Sequence, residues 1–214
     1  TIVVNTTNDV VDGDTSSIQA LIAEPHLPAN PNGEISLREA LIAVFNTGPG
    51  NTIRFDLPSG AVIVPASTLY LDMANTTIDG DVNGDGLPDV AINGPDNLVW
   101  LQIITGGNVV RHLALRSLGL AGAGASGNLI ANNYIGTTVD GSAPLAAGKQ
   151  VNGIQIVAGA HDNRIEANLI AANSEALPNS AISAGILITG SSYSNVIAGN
   201  RIGRITTTGT ITEY

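Results

Sequence analysis

A short segment with the pattern Asn-x-[Ile/Val]-x-x-[Asn/Leu]-x-[Ile/Leu] recurs four times in the second half of the chain. The copies begin at Asn108, Asn128, Asn163 and Asn195. The step is 20 residues between the first two copies and 32 residues between the last two. Repeats of this length are typical of solenoids, in which each repeat stacks on its neighbour.

The repeats predict a parallel β-helix. A short strand rich in Ile, Leu and Val cannot bury its own apolar face, whereas stacked coils bury these side chains in one continuous column, with parallel strands about 4.8 Å apart. We therefore expect residues 51–214 to form one run of coils. The longer step is explained by a loop inserted between residues 171 and 184. The alternative folds are a β-sandwich and a leucine-rich repeat. A β-sandwich does not demand aligned repeats. The leucine-rich pattern occurs once, between Leu115 and Leu120, and does not recur.

Asparagine occupies equivalent positions in successive copies. An Asn at the same turn of stacked coils can hydrogen-bond to the backbone and to the Asn above and below it, as in cross-β stacks. We expect two structural ladders, formed by Asn108, Asn128, Asn163 and Asn195 and by Asn133, Asn168 and Asn200.

Residues 1–50 lack the repeat and are predicted to cap the first coil. Ser36 and Glu39 have the spacing of a capping box, in which each side chain accepts a hydrogen bond from the other residue's backbone N–H. Apolar residues follow at helical spacing, and Gly48 ends the pattern. An amphipathic helix of this kind suits the open end of an apolar column.

Composition excludes several classes of protein. The net charge of −10 disfavours binding to nucleic acids and to anionic membranes. The absence of cysteine excludes disulfides and thiolate zinc sites. No apolar run approaches the length of a membrane span.

The segment from Asp79 to Asp89 is the sharpest local signal for a ligand. Its oxygen-bearing side chains occupy positions 1, 3, 5 and 9 of an EF-hand-like loop with glycine at position 6, and a backbone carbonyl fills position 7. The predicted calcium ligands are Asp81, Asn83, Asp85, the Leu87 carbonyl and Asp89. An EF-hand loop has a bidentate Glu at position 12, which is absent here, and Asp79 is predicted to take its place. The alternative is an Asx-and-glycine turn with solvated carboxylates. Asp9, Asp12 and Asp14 are a weaker second candidate.

The coil region offers little for catalysis, and we assign no catalytic residue. Hydrolysis of a glycosidic bond needs two carboxylates converging on one face. The acidic residues between positions 99 and 203 are few: Asp140, Asp162, Glu166 and Glu175. His161, Asp162 and Arg164 form the best local cluster, for which a solvated turn is the favoured interpretation. The single tryptophan, Trp100, is expected in the core or at its rim.

The segment Ile35-Ser36-Leu37-Arg38-Glu39-Ala40-Leu41-Ile42 resembles the CSLREA-type domain, with Ile35 in place of the cysteine for which that domain is named. The opening TIVVNTTNDVVDGD and the coils NLIANNYIG and NVIAGNRIG are also similar to that family. The resemblance implies right-handed, pectin-lyase-like β-helix repeats after the domain, in a secreted or surface protein of bacteria or archaea. It implies no catalytic residue.

Together these features predict a secreted or cell-surface β-helix module with a structural or adhesive role. The last coil ends near Gly203 with no capping helix after it. We expect either that the chain is part of a longer β-helix or that the open end associates with another copy. The alternative is a β-helix that binds or degrades polysaccharide.

Overall fold

The computed structural model describes residues 1–23, 33–94, 99–145, 152–171, 184–205 and 211–213, and it confirms the parallel β-helix. The inserted loop at 172–183 lies outside the described residues. In chain order the elements are β1 (Ile2–Val4), α1 (Ile18–Ala23), α2 (Leu37–Thr47), β2 (Thr52–Phe55), β3 (Ala61–Ile63), β4 (Leu69–Leu71), β5 (Thr77–Asp79), β6 (Val90–Ile92), β7 (Leu101–Ile103), β8 (Val109–Arg111), β9 (Leu113–Leu115), β10 (Leu118–Ala121), β11 (Leu129–Ala131), β12 (Tyr134–Ile135), β13 (Ile154–Val157), β14 (Arg164–Glu166), β15 (Leu169–Ala171), β16 (Ile186–Ile188), β17 (Val196–Ala198), β18 (Arg201–Ile205) and β19 (Ile211–Glu213).

The strands form three sheets, and the chain visits them in the same order in every coil. Sheet 1 has the order β1-β2-β5-β8-β11-β14-β17, sheet 2 has the order β3-β6-β9-β12-β15-β18-β19, and sheet 3 has the order β4-β7-β10-β13-β16. Neighbouring strands are parallel, except that β19 pairs antiparallel with β18. The strands are short because each coil must turn three corners.

The core is the column of side chains that point into the helix. In sheet 1, Ile78, Val110, Ile130 and Ile165 are in register and fully buried. A one-residue slip would turn such a row to solvent, so the alternating pattern fixes the register. Trp100 is also buried, in agreement with the expected core or rim position.

The corner between sheets 1 and 2 is tight in most coils. A single residue in the left-handed conformation makes the bend at His112, Asn132 and Ala167, with φ between 53° and 55°. Ladder residues Asn133 and Asn168 follow two of these positions directly. Between β5 and β6 the same corner carries the acidic loop of residues 80–89 instead.

Helix α2 packs against the first coil, against strands β1 and β4. Its buried face consists of Leu37, Ala40, Leu41, Ala43 and Val44. Ser36 and Glu39 make the reciprocal capping box at its start. Strand β1 lies within the first 50 residues yet pairs with β2 in sheet 1, so the cap segment also contributes a strand to the solenoid.

Candidate functional sites

The first asparagine ladder runs along the corner that precedes sheet 1. The side-chain oxygen of each Asn accepts a hydrogen bond from the backbone N–H of its counterpart one coil earlier, for Asn128 to Asn108 at 2.8 Å, Asn163 to Asn128 at 2.9 Å and Asn195 to Asn163 at 3.1 Å. At the start of the row, the Thr76 N–H donates to the Asn108 oxygen at 2.8 Å. A search for Asn alone misses Thr76, which occupies the same corner one coil earlier.

The second ladder runs along the corner between sheets 1 and 2. The oxygens of Asn133, Asn168 and Asn200 accept from the backbone N–H of Leu113, Asn133 and Asn168, at 3.1, 3.0 and 2.9 Å respectively. Their amide nitrogens donate to backbone carbonyls of the preceding coil. The ladder side chains satisfy polar backbone groups that the corners would otherwise leave buried and unpaired.

Asp81, Asp85 and Asp89 converge in the acidic loop. One carboxylate oxygen of each lies within 4.8 Å of the others, the single such acidic group in the part of the chain that the structure describes. Asp81 accepts from the N–H groups of Gly84 and Gly86, at 2.6 and 3.0 Å. The Asn83 side-chain oxygen accepts from the Asp85 N–H at 2.8 Å. The backbone therefore folds around a cluster of oxygens.

Asp89 is the buried member of this cluster. Burial raises the pKa of its carboxyl, but hydrogen bonds from the Ser59 hydroxyl and from the N–H groups of Val82 and Asn83 outweigh burial and hold the pKa below its ordinary value. The Asn83 side-chain amide also donates to Asp89 at 3.2 Å. Three ionised carboxylates this close repel one another, and a cation would relieve the repulsion.

Asp79 lies in a different cluster from the one predicted for it. Its carboxylate accepts from Arg111 at 2.9 Å and from His112 at 2.8 Å, and Arg54 approaches it at 3.9 Å. The cause is the register of sheet 1, which sets Asp79 beside Arg111 on the neighbouring strand. Burial raises the pKa of Asp79, yet the contacts with His112 and Arg111 outweigh burial and lower the pKa below its ordinary value. The signal was available, because Asp79 and Arg111 are 32 residues apart, the same step as between later repeats.

Asp9, Asp12 and Asp14 do not share one site. Asp9 makes a two-pronged ion pair with Arg38, with both contacts at 2.8 Å, and accepts from the Ala66 N–H. The Asp12 N–H donates to Glu39, whereas Asp14 accepts from the Ser16 N–H. These contacts bind the opening segment to α2 and the first coil.

His161, Asp162 and Arg164 do not converge either. His161 contacts the Asp162 carboxylate at 2.8 Å and stacks on Tyr193, with ring centroids 4.7 Å apart. Arg164 pairs with Glu166 on the outer face of sheet 1. Sequence analysis missed the stacking because His161 and Tyr193 occupy equivalent corner positions in coils that differ in sequence there.

The outer face of sheet 3 carries a row of four uncharged residues, three of which have polar side chains. Tyr70, Gln102, Gly119 and Gln155 follow one another in register across β4, β7, β10 and β13. The Tyr70 side chain is 52 % exposed. A Cβ on Gly119 would lie 2.7 Å from the Gln102 amide oxygen, so the absence of a side chain there leaves room for Gln102.

Three inward-pointing isoleucines in β16, β17 and β18, the last described coil, are exposed. Ile188, Ile197 and Ile202 retain 44 %, 39 % and 37 % of their accessible surface. Their register partners one coil earlier, Ile156, Ile165 and Ile170, are 0 % exposed. We call these three exposed residues the isoleucine face.

Comparison of the chain with protein-family models, with curated proteins and with solved structures finds no match. Neither helix in the described residues is long and apolar enough to cross a bilayer.

Proposed function

We propose that this chain is a structural β-helix module of the cell surface that associates with a second copy through the isoleucine face. The observation that carries the proposal is the exposure of Ile188, Ile197 and Ile202, whose counterparts one coil earlier are fully buried. The resemblance of residues 35–42 to the CSLREA segment supports export. Recovery of the native protein solely from the cytoplasmic fraction of its host would refute that location.

Association would follow from two properties of this face. Removing each isoleucine side chain from water is favourable, by about 25 cal/mol for each Å² of apolar surface. Within the described residues, strands β16 and β17 each have a parallel neighbour on one side alone, so each has one edge with no strand partner in that part of the chain. An edge of this kind is a template for strand pairing with another chain.

The test is the mass of the purified chain in solution, measured by light scattering over a series of concentrations. We expect the mass to rise with concentration for the wild type and to stay at one chain for Ile197→Lys, because a buried charge opposes docking. Val64→Lys is the matched control, since Val64 is 56 % exposed and lies outside this face. A wild-type mass of one chain at every concentration would refute association.

We also propose that the acidic loop binds calcium, with side-chain oxygens of Asp81, Asn83, Asp85 and Asp89 and the Leu87 carbonyl as ligands. The convergence of three carboxylates within 4.8 Å supports this proposal, as does the preference of calcium for oxygen ligands. Asp79 is left out of the ligand set because Arg111 and His112 already occupy its carboxylate.

Thermal unfolding with calcium and with a chelator tests the calcium loop. A cation that binds the folded state alone raises the midpoint as its concentration increases. Asp85→Asn should abolish that rise, whereas Asp56→Asn, at an exposed acidic position outside the loop, should preserve it. Equal midpoints of the wild type with calcium and with chelator would count against a calcium site.

A second candidate function is the binding of a neutral glycan to the outer face of sheet 3. The exposed Tyr70 ring can stack on the apolar face of a sugar. The Gln155 amide, three strands along the same row, can hydrogen-bond to hydroxyls. The row Tyr70–Gln102–Gly119–Gln155 contains no carboxylate, which favours binding over cleavage.

A panel of neutral oligosaccharides in calorimetric titration tests this candidate. Tyr70→Ala should abolish the heat of binding, whereas Tyr193→Ala removes an equally exposed tyrosine elsewhere and should leave it unchanged. A titration with no binding heat across the panel would remove the candidate, and release of reducing ends would point to cleavage instead.

A further inference from the structure

The acidic loop contains an exposed Asn-Gly pair, a sequence prone to spontaneous deamidation because glycine has no Cβ to hinder attack by its own nitrogen. Three such pairs lie wholly within the described residues, at 83–84, 93–94 and 152–153. Of these, Asn83 and Gly84 are both exposed, whereas Gly94 and Gly153 are buried. The three Asn-Gly pairs therefore differ in solvent exposure, and the pair at 83–84 is the exposed one.

Packing holds the other two pairs in place. A Cβ on Gly94 would lie 2.2 Å from the Trp100 ring, and the Asn93 amide donates to the Leu145 carbonyl at 3.0 Å. The Gly153 N–H donates to the Ala184 carbonyl at 3.0 Å within the solenoid. Attack of the glycine nitrogen on the preceding side chain requires rotation of the backbone, which close packing around the buried Gly94 and Gly153 resists, whereas Gly84 is exposed and nothing lies within 4 Å of a Cβ built on it.

In the loop, three of the atoms that take part in deamidation have a suitable hydrogen-bond partner. The Gly84 N–H, which must lose its proton, donates to the Asp81 carboxylate at 2.6 Å. The Asn83 carbonyl oxygen, on which negative charge develops, accepts from the Asp85 N–H at 2.8 Å. The Asn83 nitrogen, which leaves as ammonia, donates to Asp89 at 3.2 Å. A base beside the nucleophile and a donor at the developing oxyanion both lower the barrier of such a step.

We propose that Asn83 is a site of self-catalysed deamidation. The Gly84 nitrogen forms a bond to the side-chain carbonyl carbon of Asn83 as its proton passes to Asp81. The bond from that carbon to the side-chain nitrogen then breaks, and ammonia leaves with the proton to give a succinimide. Water opens the ring at either carbonyl, so that aspartate or isoaspartate replaces Asn83 with no change of oxidation state.

The product changes the chemistry of the loop. A neutral amide oxygen becomes a carboxylate beside Asp81, Asp85 and Asp89, and the local charge becomes more negative by one. The modification stands independently of the proposed calcium site, although a cation held by the same oxygens would slow the reaction by restraining the loop.

Peptide mapping by mass spectrometry after prolonged incubation of the folded chain tests the proposal, with a chelator present. We expect the peptide that contains Asn83 to deamidate at least about tenfold faster than the peptides that contain Asn93 and Asn152. Asn83→Gln should show no conversion, because a longer side chain disfavours ring closure. Asp81→Asn should slow conversion, because the proton acceptor is lost.

Denaturant provides the matched control, since the three pairs should convert at similar rates once the fold is removed. Conversion of Asn83 no faster than that of Asn152 in the folded chain would overturn the proposal. Equal rates in wild type and Asp81→Asn would overturn the role of the carboxylate. A parallel incubation with calcium in place of the chelator tests the calcium site separately. If calcium fails to slow the reaction, the proposed calcium site is in doubt while the deamidation stands, so failure of one proposal can be told apart from failure of the other.

Discussion

Replacing Asn163 by alanine is the sharpest test of the asparagine ladder. The Asn163 side chain is fully buried and makes four hydrogen bonds, to the backbone and side-chain nitrogens of Asn128, to the Ala125 carbonyl and to the Asn195 oxygen. A typical hydrogen bond contributes about 1 kcal/mol net, and a buried group left without a partner costs about 1–3 kcal/mol. Asn163→Ala should therefore lower the free energy of unfolding by about 4 kcal/mol.

The assay is equilibrium unfolding in urea, followed by circular dichroism, with the slope of the transition compared between variants because solenoids can unfold in steps. Asn195→Ala is the matched control: Asn195 makes the same kind of contacts but is half-buried, so water can replace them. We expect its loss to be about half as large. A loss below about 1 kcal/mol for Asn163→Ala would refute the claim that the ladder stabilises the corner.

Three further predictions concern the cap, the core and a loop. Ser36→Ala should cost about 1 kcal/mol in urea unfolding, because the helix loses its N-cap acceptor, and an unchanged midpoint would contradict this. Gly94→Ala should destabilise by about 1–3 kcal/mol and alter the fluorescence of Trp100, since a Cβ would overlap its ring; an unaltered spectrum and stability would show that the ring has room. Hydrogen bonds from Thr138 and Ser142 hold the pKa of Asp140 at about 2. Because this folded-state pKa is lowered, ionised Asp140 stabilises the fold above its ordinary pKa, and that contribution is lost as the pH falls through about 2. Titration by NMR should show this value in the wild type and a higher one in Thr138→Val, and equal values would rule out the threonine as a cause.

Much of the fold could be predicted from the sequence, because a solenoid repeats one local pattern. Asn128 and Asn163 revealed the repeat, and the repeat determines which residues are neighbours across coils. The cap helix could be predicted for a different reason, since Ser36 and Glu39 interact within one turn. Where structure depends on short-range rules or on an unbroken repeat, sequence is sufficient.

The charged contacts were harder to predict, because they depend on register between coils of unlike sequence. The coil that contains Asp79 has Thr76 rather than Asn at the ladder position, so a search for Asn did not reveal the alignment of Asp79 with Arg111. The stacking of His161 on Tyr193 follows from the same cross-coil register. Proximity in sequence therefore led us to group Asp79 with the loop, whereas register pairs it with the neighbouring strand.

The connection between sheets 2 and 3 varies widely in length from coil to coil. Between sheets 2 and 3 the connection is residues 116–117 in one coil and residues 136–153 in the next, yet the strands that follow, β10 and β13, remain in register. The asparagine ladders lie at the other two corners. The length of one connection is thus uncoupled from the geometry of the stack. This corner is the natural place to graft a foreign peptide for display, because a change there leaves the ladder contacts and the strand pairing intact.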